Sequence, residues 1–251
     1  MTTILLNGYL GRMGHVIADL AAAIDDAEII AGVDYNTADA PYAFPVYTSF
    51  ADVKETPDVI IDFSNPKALD NLLDFALEKK IPAVICTTGF SDEQIEKIHK
   101  ASETIPVFFS ANMSIGVNLV VELAQKAAQV LYPDFNIEVV EAHHNQKLDA
   151  PSGTALMIAD GIAEVLDGDV DYEYDRHSKR QKRPVNEIGI HSVRAGTIVG
   201  EHEVLFGGPD EVIKITHTAY SRKIFGNGAV NAAIFMNGKG PGLYSMKDVL
   251  A

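Results

Sequence analysis

The sequence predicts an α/β protein with two parts. Residues 1–114 and 223–251 form an open parallel sheet flanked by helices, and residues 115–222 form a central α+β part on a mixed sheet. Three observations carry this. Short β-branched runs alternate with helical apolar spacing through the first third of the chain. After about Ser114 the pattern changes to a long helix and then to longer alternating runs. A helical pattern resumes near the end. Strand–helix alternation means a parallel sheet, because a connection between parallel strands needs room for a helix and crosses over right-handed.

In chain order, "TTILLN" reads as a buried strand. From Met13 the apolar residues Val16, Ile17, Leu20 and Ile24 recur at helical spacing. "AEIIAGVD" and "PDVIIDFS" are the second and third strands. Asn65-Pro66 opens a helix through Leu69, Leu72, Leu73, Ala76 and Leu77. "IPAVICTTG" is the fourth strand, and Ser91 with Gln94 makes a capping box for a helix to about Lys100. "IPVFFSAN" is the fifth. In the central part a helix runs from Val117 to about Leu131, and "FNIEVVEAHH" is an alternating strand. A second helix follows the Pro-Ser-Gly-Thr turn and includes Leu156, Ile158, Ile162 and Val165-Leu166. The polar, basic "VDYEYDRHSKRQKRP" reads as a loop with a solvated charge run, or else as a phosphate patch. "IGIHSVRAGTIVGEHEVLFGG" and "DEVIKITHTAYS" look like antiparallel strands, and "AVNAAIFMN" is helical.

Composition narrows the function classes. At 251 residues, 47% hydrophobic and 22% charged, the chain has enough apolar surface for one large or two modest cores. No apolar run approaches the roughly 20 residues of a membrane span. "MTTILLNGYLGRMG" lacks a basic region and a small-residue cleavage site, so it reads as a strand rather than a signal peptide. A single cysteine, Cys86, excludes an intrachain disulfide and fits a cytoplasmic home. Its apolar neighbours point to a buried, inert thiol. The formal net charge of −15 argues against nucleic acid, so an anionic ligand needs a local positive site.

Two motifs carry chemistry. "LLNGYLGRMGHVI" places Gly8, Gly11 and Gly14 between the first strand and first helix. Glycines there let the backbone turn and approach a pyrophosphate, and the helix start offers free N–H groups. Asp34 ends the second strand, where a carboxylate accepts hydrogen bonds from an adenosine ribose. Leu10 stands where the common glycine pattern has its middle glycine. The alternative is a glycine-rich turn without a cofactor.

The second motif is "EAHHNQKLDAPSGTA". His143, His144 and Asp149 are conceivable metal ligands, but no further cluster has metal spacing, and no metal is expected. Histidines capping a strand end are a second reading. A Ser152 nucleophile lacks the strand-to-helix elbow. The favoured reading is acid/base work on a small carboxylate: imidazole titrates near neutrality, Lys147 adds a charge or proton, and Ser152, Gly153 and Thr154 open a helix that cradles the carboxylate.

"GYLGRMG", "DFSNP", "TTGF", "SANMSIGVN", "EAHHNQKLDAPSGTA", "RAGTIVGEHEV" and "FGNGAV", in that order, resemble the 4-hydroxy-tetrahydrodipicolinate reductase (dihydrodipicolinate reductase) family of bacterial lysine synthesis. The likeness spans nearly the whole chain. It implies a Rossmann-like domain, a central substrate domain whose sheet makes a homotetramer, and reduction of a cyclic imine dicarboxylate with loss of water by a nicotinamide cofactor. It also implies that His143 is the general acid/base, that Lys147 is a proton donor meeting a substrate carboxylate, and that His144, Gly153 and Thr154 hold substrate. Gly8, Tyr9, Leu10, Gly11, Arg12, Met13 and Asp34 would hold the adenosine half. Cys86, Thr87 and Thr88, with Ser110, Ala111, Asn112 and Met113, would lie near the nicotinamide. Cys86 stands where many relatives have glycine, Met113 where many have an aromatic residue, and Asn145-Gln146 replace a more basic pair. Tyr35 stands where relatives that accept NADPH well often carry arginine. A 2′-phosphate is repelled by Asp34, with Arg12 the nearby cation, so NADH is the expected cofactor and NADPH a possible one. Hinges are expected near 114–117 and 222–225. The rival readings are another two-domain dehydrogenase, such as an aspartate or homoserine dehydrogenase, and a cofactor-sensing regulator without turnover.

Overall fold

The computed structural model describes residues 1–36 and 42–250. The chain divides into two compact units, one of residues up to Ile115 and from Lys223 onward, the other Gly116–Arg222.

The first unit contains β1 (Thr2–Asn7), α1 (Arg12–Ala21), β2 (Ala27–Val33), β3 (Val46–Tyr47), β4 (Val59–Asp62), α2 (Leu69–Lys79), β5 (Ala83–Ile85), α3 (Asp92–Ser102) and β6 (Pro106–Phe109). Its seven-stranded sheet has the order β12-β6-β5-β4-β1-β2-β3, where β12 is Gly242–Tyr244, and every strand pair is parallel. Side chains alternate across a strand, and the core divides accordingly. Ile4, Leu6, Ile61 and Val84 pack on one face with Ile17, Ala229 and Ala233. Leu5, Ile60, Ile85 and Val107 pack on the other with Leu72, Leu73 and Ile98. The Ser91–Gln94 capping box is present at the start of α3. Asn65 caps a short 3₁₀ turn, Pro66–Ala68, that leads into α2. α1 ends at Ala21, so Ile24 lies beyond it and is largely exposed.

The second unit contains α4 (Ile115–Leu131, its first residue in the other unit), β7 (Asn136–His143), α5 (Gly153–Ala163), β8 (Asp171–Glu173), β9 (Glu187–Arg194), β10 (Gly200–Gly207) and β11 (Val212–Ala219). Its sheet has the order β11-β10-β7-β9-β8. β10 pairs antiparallel with both β7 and β11, whereas β9 runs parallel to β7 and β8. The expectation of antiparallel strands therefore holds for β10 and β11 and fails for β9. The "RAGTIVG" link carries the chain past β7 before β10 pairs on its far side. Val120, Val121, Ala124, Ile158 and Ile162 from the two helices cover Ile137, Val139, Ile190, Val204 and Phe206. α5 stops at Ala163, and Val165-Leu166 pack on this core from beyond its end.

The basic segment is not a free loop. β8 lies within it, and its cations face carboxylates: Arg176 meets Glu187 at 2.5 Å, Arg183 meets Glu138 at 3.0 Å, and Lys179 contacts Glu173. Glu173 and Glu187 are buried, so these cations neutralise interior charge.

At the C-terminus, α6 (Lys223–Met236) packs on α1 and the sheet of the first unit, followed by β12 and α7 (Met246–Leu250). β12, α7 and β3 are too short to show a period, and the sequence pattern does not reveal them. Phe206 is fully buried in the central core, so Phe206→Ala should lower unfolding free energy by about 3–5 kcal/mol, which urea denaturation will read.

Candidate active site

Two clusters gather the chemistry-bearing residues, one in each unit.

In the first unit the glycine turn sits at the C-terminal end of β1. Gly8 has φ +84°, and a Cβ there would lie 2.3 Å from the Phe63 carbonyl oxygen. A Cβ on Gly14 would lie 2.3 Å from the Gly8 carbonyl oxygen, so the helix start can press against the turn only without side chains. α1 begins at an N-cap glycine, Gly11, with no side-chain cap and no acidic residue in its first turn. Its N-terminal dipole end therefore fits an anionic group. Asp34 accepts hydrogen bonds from the Leu10 N–H (3.0 Å) and the Tyr35 N–H (2.8 Å), which fixes the carboxylate beside the turn. Tyr9 packs wholly into the core against Tyr42 and Phe44, so only its backbone faces the turn.

A cavity of about 540 Å³ is lined by Gly11, Arg12 and Met13 with Phe63, Cys86, Thr87, Thr88, Ala111, Met113 and Phe225 among others. Beside it, a cavity of about 430 Å³ is lined by Gly8, Asp34, Tyr35, Ser49, Lys67 and Asn71 among others. Arg12 thus lines the first cavity, and the cation lining the cavity of Asp34 is Lys67, which no motif in the sequence singles out. Ser110 and Asn112 use their side chains to fold their own turn: the Ser110 hydroxyl donates to the Asn112 carbonyl at 2.9 Å, and the Asn112 Oδ1 accepts from the Ser114 N–H at 2.9 Å. Beneath the cavities the Asp62 carboxylate is buried and accepts from Asn7 at 2.7 Å and Ser64 at 2.5 Å. Burial raises its pKa, opposed by the hydrogen bonds of Ser64, Thr87 and Asn7. This network joins the ends of β1, β4 and β5. Burial also pushes the Cys86 thiol well above its ordinary value, with Asp62 adding to the shift, so the thiol stays protonated.

In the second unit, alternation along β7 places Val139, Glu141 and His143 on the helix-covered face. Register does the rest. His202 on β10 lies opposite Glu141, and Arg194 on β9 lies beside His143. Glu141 is fully buried. Arg194 meets it with two parallel bonds of 2.7 and 2.8 Å, the His143 Nδ1 lies 2.6 Å from Oε2, and the Ser152 N–H donates to Oε1 at 3.1 Å. Burial pushes the Glu141 carboxyl up, but hydrogen bonds from Arg194, His143 and Ser192 outweigh it and lower the pKa to about 2. Burial lowers the His143 pKa, Glu141 opposes that, and Lys147 and Arg194 add to it. Lys147 pairs with Asp149 at 2.9 Å. Among the described residues no three His, Cys, Asp or Glu side chains gather as a metal site. The "RAG" stretch clamps the histidine pair: the Ala195 N–H donates to the His143 carbonyl and the Asn145 N–H to that of Gly196.

Ser152 departs from expectation. It is buried, its hydroxyl caps α5 by accepting from the Ala155 N–H at 3.1 Å and meets the His202 Nε2 at 3.1 Å, and its N–H is taken by Glu141. Its hydroxyl and N–H face inward and shape the turn into α5. The space a side chain would fill at Gly153 is open. The His144 Nδ1 is buried without a hydrogen-bond partner. His202 and Arg194 lie within the "RAGTIVGEHEV" stretch, but nothing local gives either a role, because only strand register brings them to Glu141 and His143.

His202 supplies a stability test. Burial, then His143, lowers its pKa to about 4 from 6.5. Between those values the unfolded chain binds a proton that the folded chain does not, so stability falls as pH drops from about 6.5 to 4, by about 3 kcal/mol in full. His143 and His217, also lowered, add to the same slope. His202→Gln should flatten the decline in chemical-denaturation midpoints across that window, and an unchanged slope would remove His202 as its source.

Comparison with known proteins follows the same division. The family models described as dihydrodipicolinate reductase, N-terminus and C-terminus, match residues 2–113 and 116–250. A 4-hydroxy-tetrahydrodipicolinate reductase of Caldanaerobacter subterraneus subsp. tengcongensis is 52% identical over 250 residues, covering 100% of this chain and 98% of the relative. One from Clostridium novyi is 44% identical over 250 residues with the same coverage. The solved dipicolinate-bound dihydrodipicolinate reductase of Paenisporosarcina sp. TG-14 superimposes with a TM-score of 0.82 at 29% identity, covering 98% of this chain and 97% of that one.

Proposed function

The chain belongs to the dihydrodipicolinate reductase family, and from that premise we propose how its residues divide the reaction. The reaction is the NAD(P)H-dependent reduction of 4-hydroxy-tetrahydrodipicolinate to tetrahydrodipicolinate in lysine (diaminopimelate) biosynthesis. One hydride and one proton enter and one water leaves. The observation that carries the assignment is His143, held through Nδ1 by buried Glu141 at 2.6 Å and close enough to Lys147 for that cation to lower its pKa.

His143 acts as the general acid/base. Lys147, released from Asp149, meets a substrate carboxylate and assists the proton transfer. Gly153 and Thr154 offer backbone N–H groups at the start of α5, where the helix dipole favours a carboxylate. His144 supplies its unpartnered Nδ1. The cyclic dicarboxylate thus meets positive and N–H groups within an acidic chain. In the first unit, the turn from Gly8 to Met13 and Asp34 hold the adenosine half, and Cys86 to Thr88 with Ala111 and Met113 line the nicotinamide end. Bound there, the reduced nicotinamide supplies the hydride. His143→Ala and Lys147→Ala should each lower turnover by about 10²–10⁴ while cofactor affinity persists. Cofactor oxidation on adding the cyclic substrate, with cofactor titration in parallel, measures both, and wild-type turnover in either variant removes that residue from the mechanism.

The finer reading is a preference for NADH. A carboxylate accepts from an unsubstituted ribose 2′-hydroxyl and repels a 2′-phosphate. Asp34 is fixed by two backbone N–H groups, so it cannot swing aside without leaving both unpaired. Lys67 offers one opposing charge in the same cavity, from an exposed position where screening weakens it. A repelled charge at a partly exposed site is worth on the order of 1–3 kcal/mol, or roughly 5- to 150-fold. NADH should exceed NADPH in kcat/KM by a factor in that range, and Tyr35→Arg should narrow the gap. A ratio at or below unity in steady-state assays with both cofactors would end this reading.

The face of β10 and β11 turned away from the helices carries Leu205 and Val212 among Glu203, Lys214 and Thr216, with Val212, Lys214 and Thr216 exposed. An uncovered sheet face of this kind supports self-association into a homotetramer. Light scattering reads the state directly.

A further inference from the structure

We infer that Glu141, clamped by Arg194, is the positioning residue that makes Nε2 the working nitrogen of His143, and that Gly200 keeps the space at Nε2 open. The inference rests on the acid/base assignment of His143 and specifies which atom acts and what sets it.

Donors and acceptors fix the tautomer. Both oxygens of Glu141 are engaged: Oε1 accepts from Arg194 Nη2 and from the Ser152 N–H, and Oε2 accepts from Arg194 Nη1. An ionised carboxylate only accepts. The 2.6 Å contact from Oε2 to His143 Nδ1 therefore requires the proton on Nδ1. Neutral His143 is then the Nδ1–H tautomer, with its lone pair on Nε2. The acid form carries protons on both nitrogens. Its Nε2 proton passes to substrate, the ring returns to the Nδ1–H form, and Glu141 stays ionised throughout.

Arg194 makes this robust. A lone buried carboxylate beside an imidazole would tend to take the proton itself, whereas the two-pronged guanidinium keeps the negative charge on Glu141. The same guanidinium reaches the Asp149 carbonyl at 2.6 Å. One ion pair therefore spans β7, β9 and the segment leading to the Ser-Gly-Thr turn, and fixes the imidazole relative to the start of α5.

Gly200 supplies the independent observation. It heads β10, and a Cβ built on it would lie 3.1 Å from His143 Nε2 and 3.5 Å from Cδ2. The closest atom to the missing side chain is thus the nitrogen that must exchange a proton. Any side chain here crowds Nε2 and leaves Nδ1 untouched.

The test reads tautomer and turnover on the full chain. Histidines are labelled with ¹⁵N, and the His143 ring signals are assigned by difference from His143→Ala. The neutral wild-type ring should show the Nδ1–H tautomer. In Glu141→Gln that preference should be lost, and kcat should fall by about 10²–10⁴, the range for an imidazole that loses its orienting carboxylate, while cofactor affinity changes less than about threefold. Gly200→Ala leaves the Glu141 ion pair intact. It should keep the Nδ1–H tautomer yet lower kcat, and it keeps the inference testable if Glu141→Gln does not fold. An Nε2–H tautomer in the wild type, an unchanged tautomer in Glu141→Gln, or wild-type kcat in Gly200→Ala would each overturn the inference. Wild-type turnover in His143→Ala would instead overturn the acid/base assignment, leaving the tautomer result to judge Glu141 separately.

Discussion

A single buried carboxylate organises the histidine-bearing end of β7 in the central unit. Glu141 sits with no solvent exposure on the helix-covered face of β7. An isolated charge there would be costly, and removing one partner of such a pair is worth several kcal/mol. Arg194 and His143 compensate it, and the Ser152 N–H completes the set. Each partner comes from a different stretch: β9, the end of β7, and the turn into α5. Satisfying one charge therefore assembles three segments, and the His143 imidazole is one of the groups that does so.

The cofactor side follows a different physical rule. Its glycine turn is shaped by backbone, and backbone segments approach closely only where side chains are absent. Gly8 and Gly14 let the turn and helix start meet, and Asp34 is pinned to the turn by the Leu10 N–H. The Asn7–Asp62–Ser64 network ties the neighbouring strand ends together beneath it. The result is a rigid rim at the carboxyl ends of the strands, where open parallel sheets bind their ligands.

The acidic balance of the chain is not spread evenly in its effects. Arg176, Lys179 and Arg183 look like a free basic run, yet each faces a glutamate, two of them buried. Their role is to neutralise the interior of the sheet edge. Net charge alone does not reveal this, because an ion pair cancels in the sum while it holds β8, β9 and the segment between them in place.

Local pattern is enough to read the five main strands of the first unit, its longer helices, the capping box at Ser91, the glycine turn, and the histidine-lysine motif. Each is a short-range property: residue period, a cap three residues from its partner, a turn that needs glycine. The very short elements β3, β8 and β12 are invisible to it because two or three residues carry no period. The direction of β9 is not legible locally, because pairing depends on where a connection delivers the strand. Ser152 looks like a ligand in the sequence and is a helix cap facing inward in the fold. Arg194, His202 and Gly200 stand 51, 59 and 57 residues after His143, and no spacing rule points to them. Only register across three strands brings them to Glu141 and His143, because which side chains become neighbours across a sheet depends on pairing between distant segments, and that pairing is set by burial of the whole face.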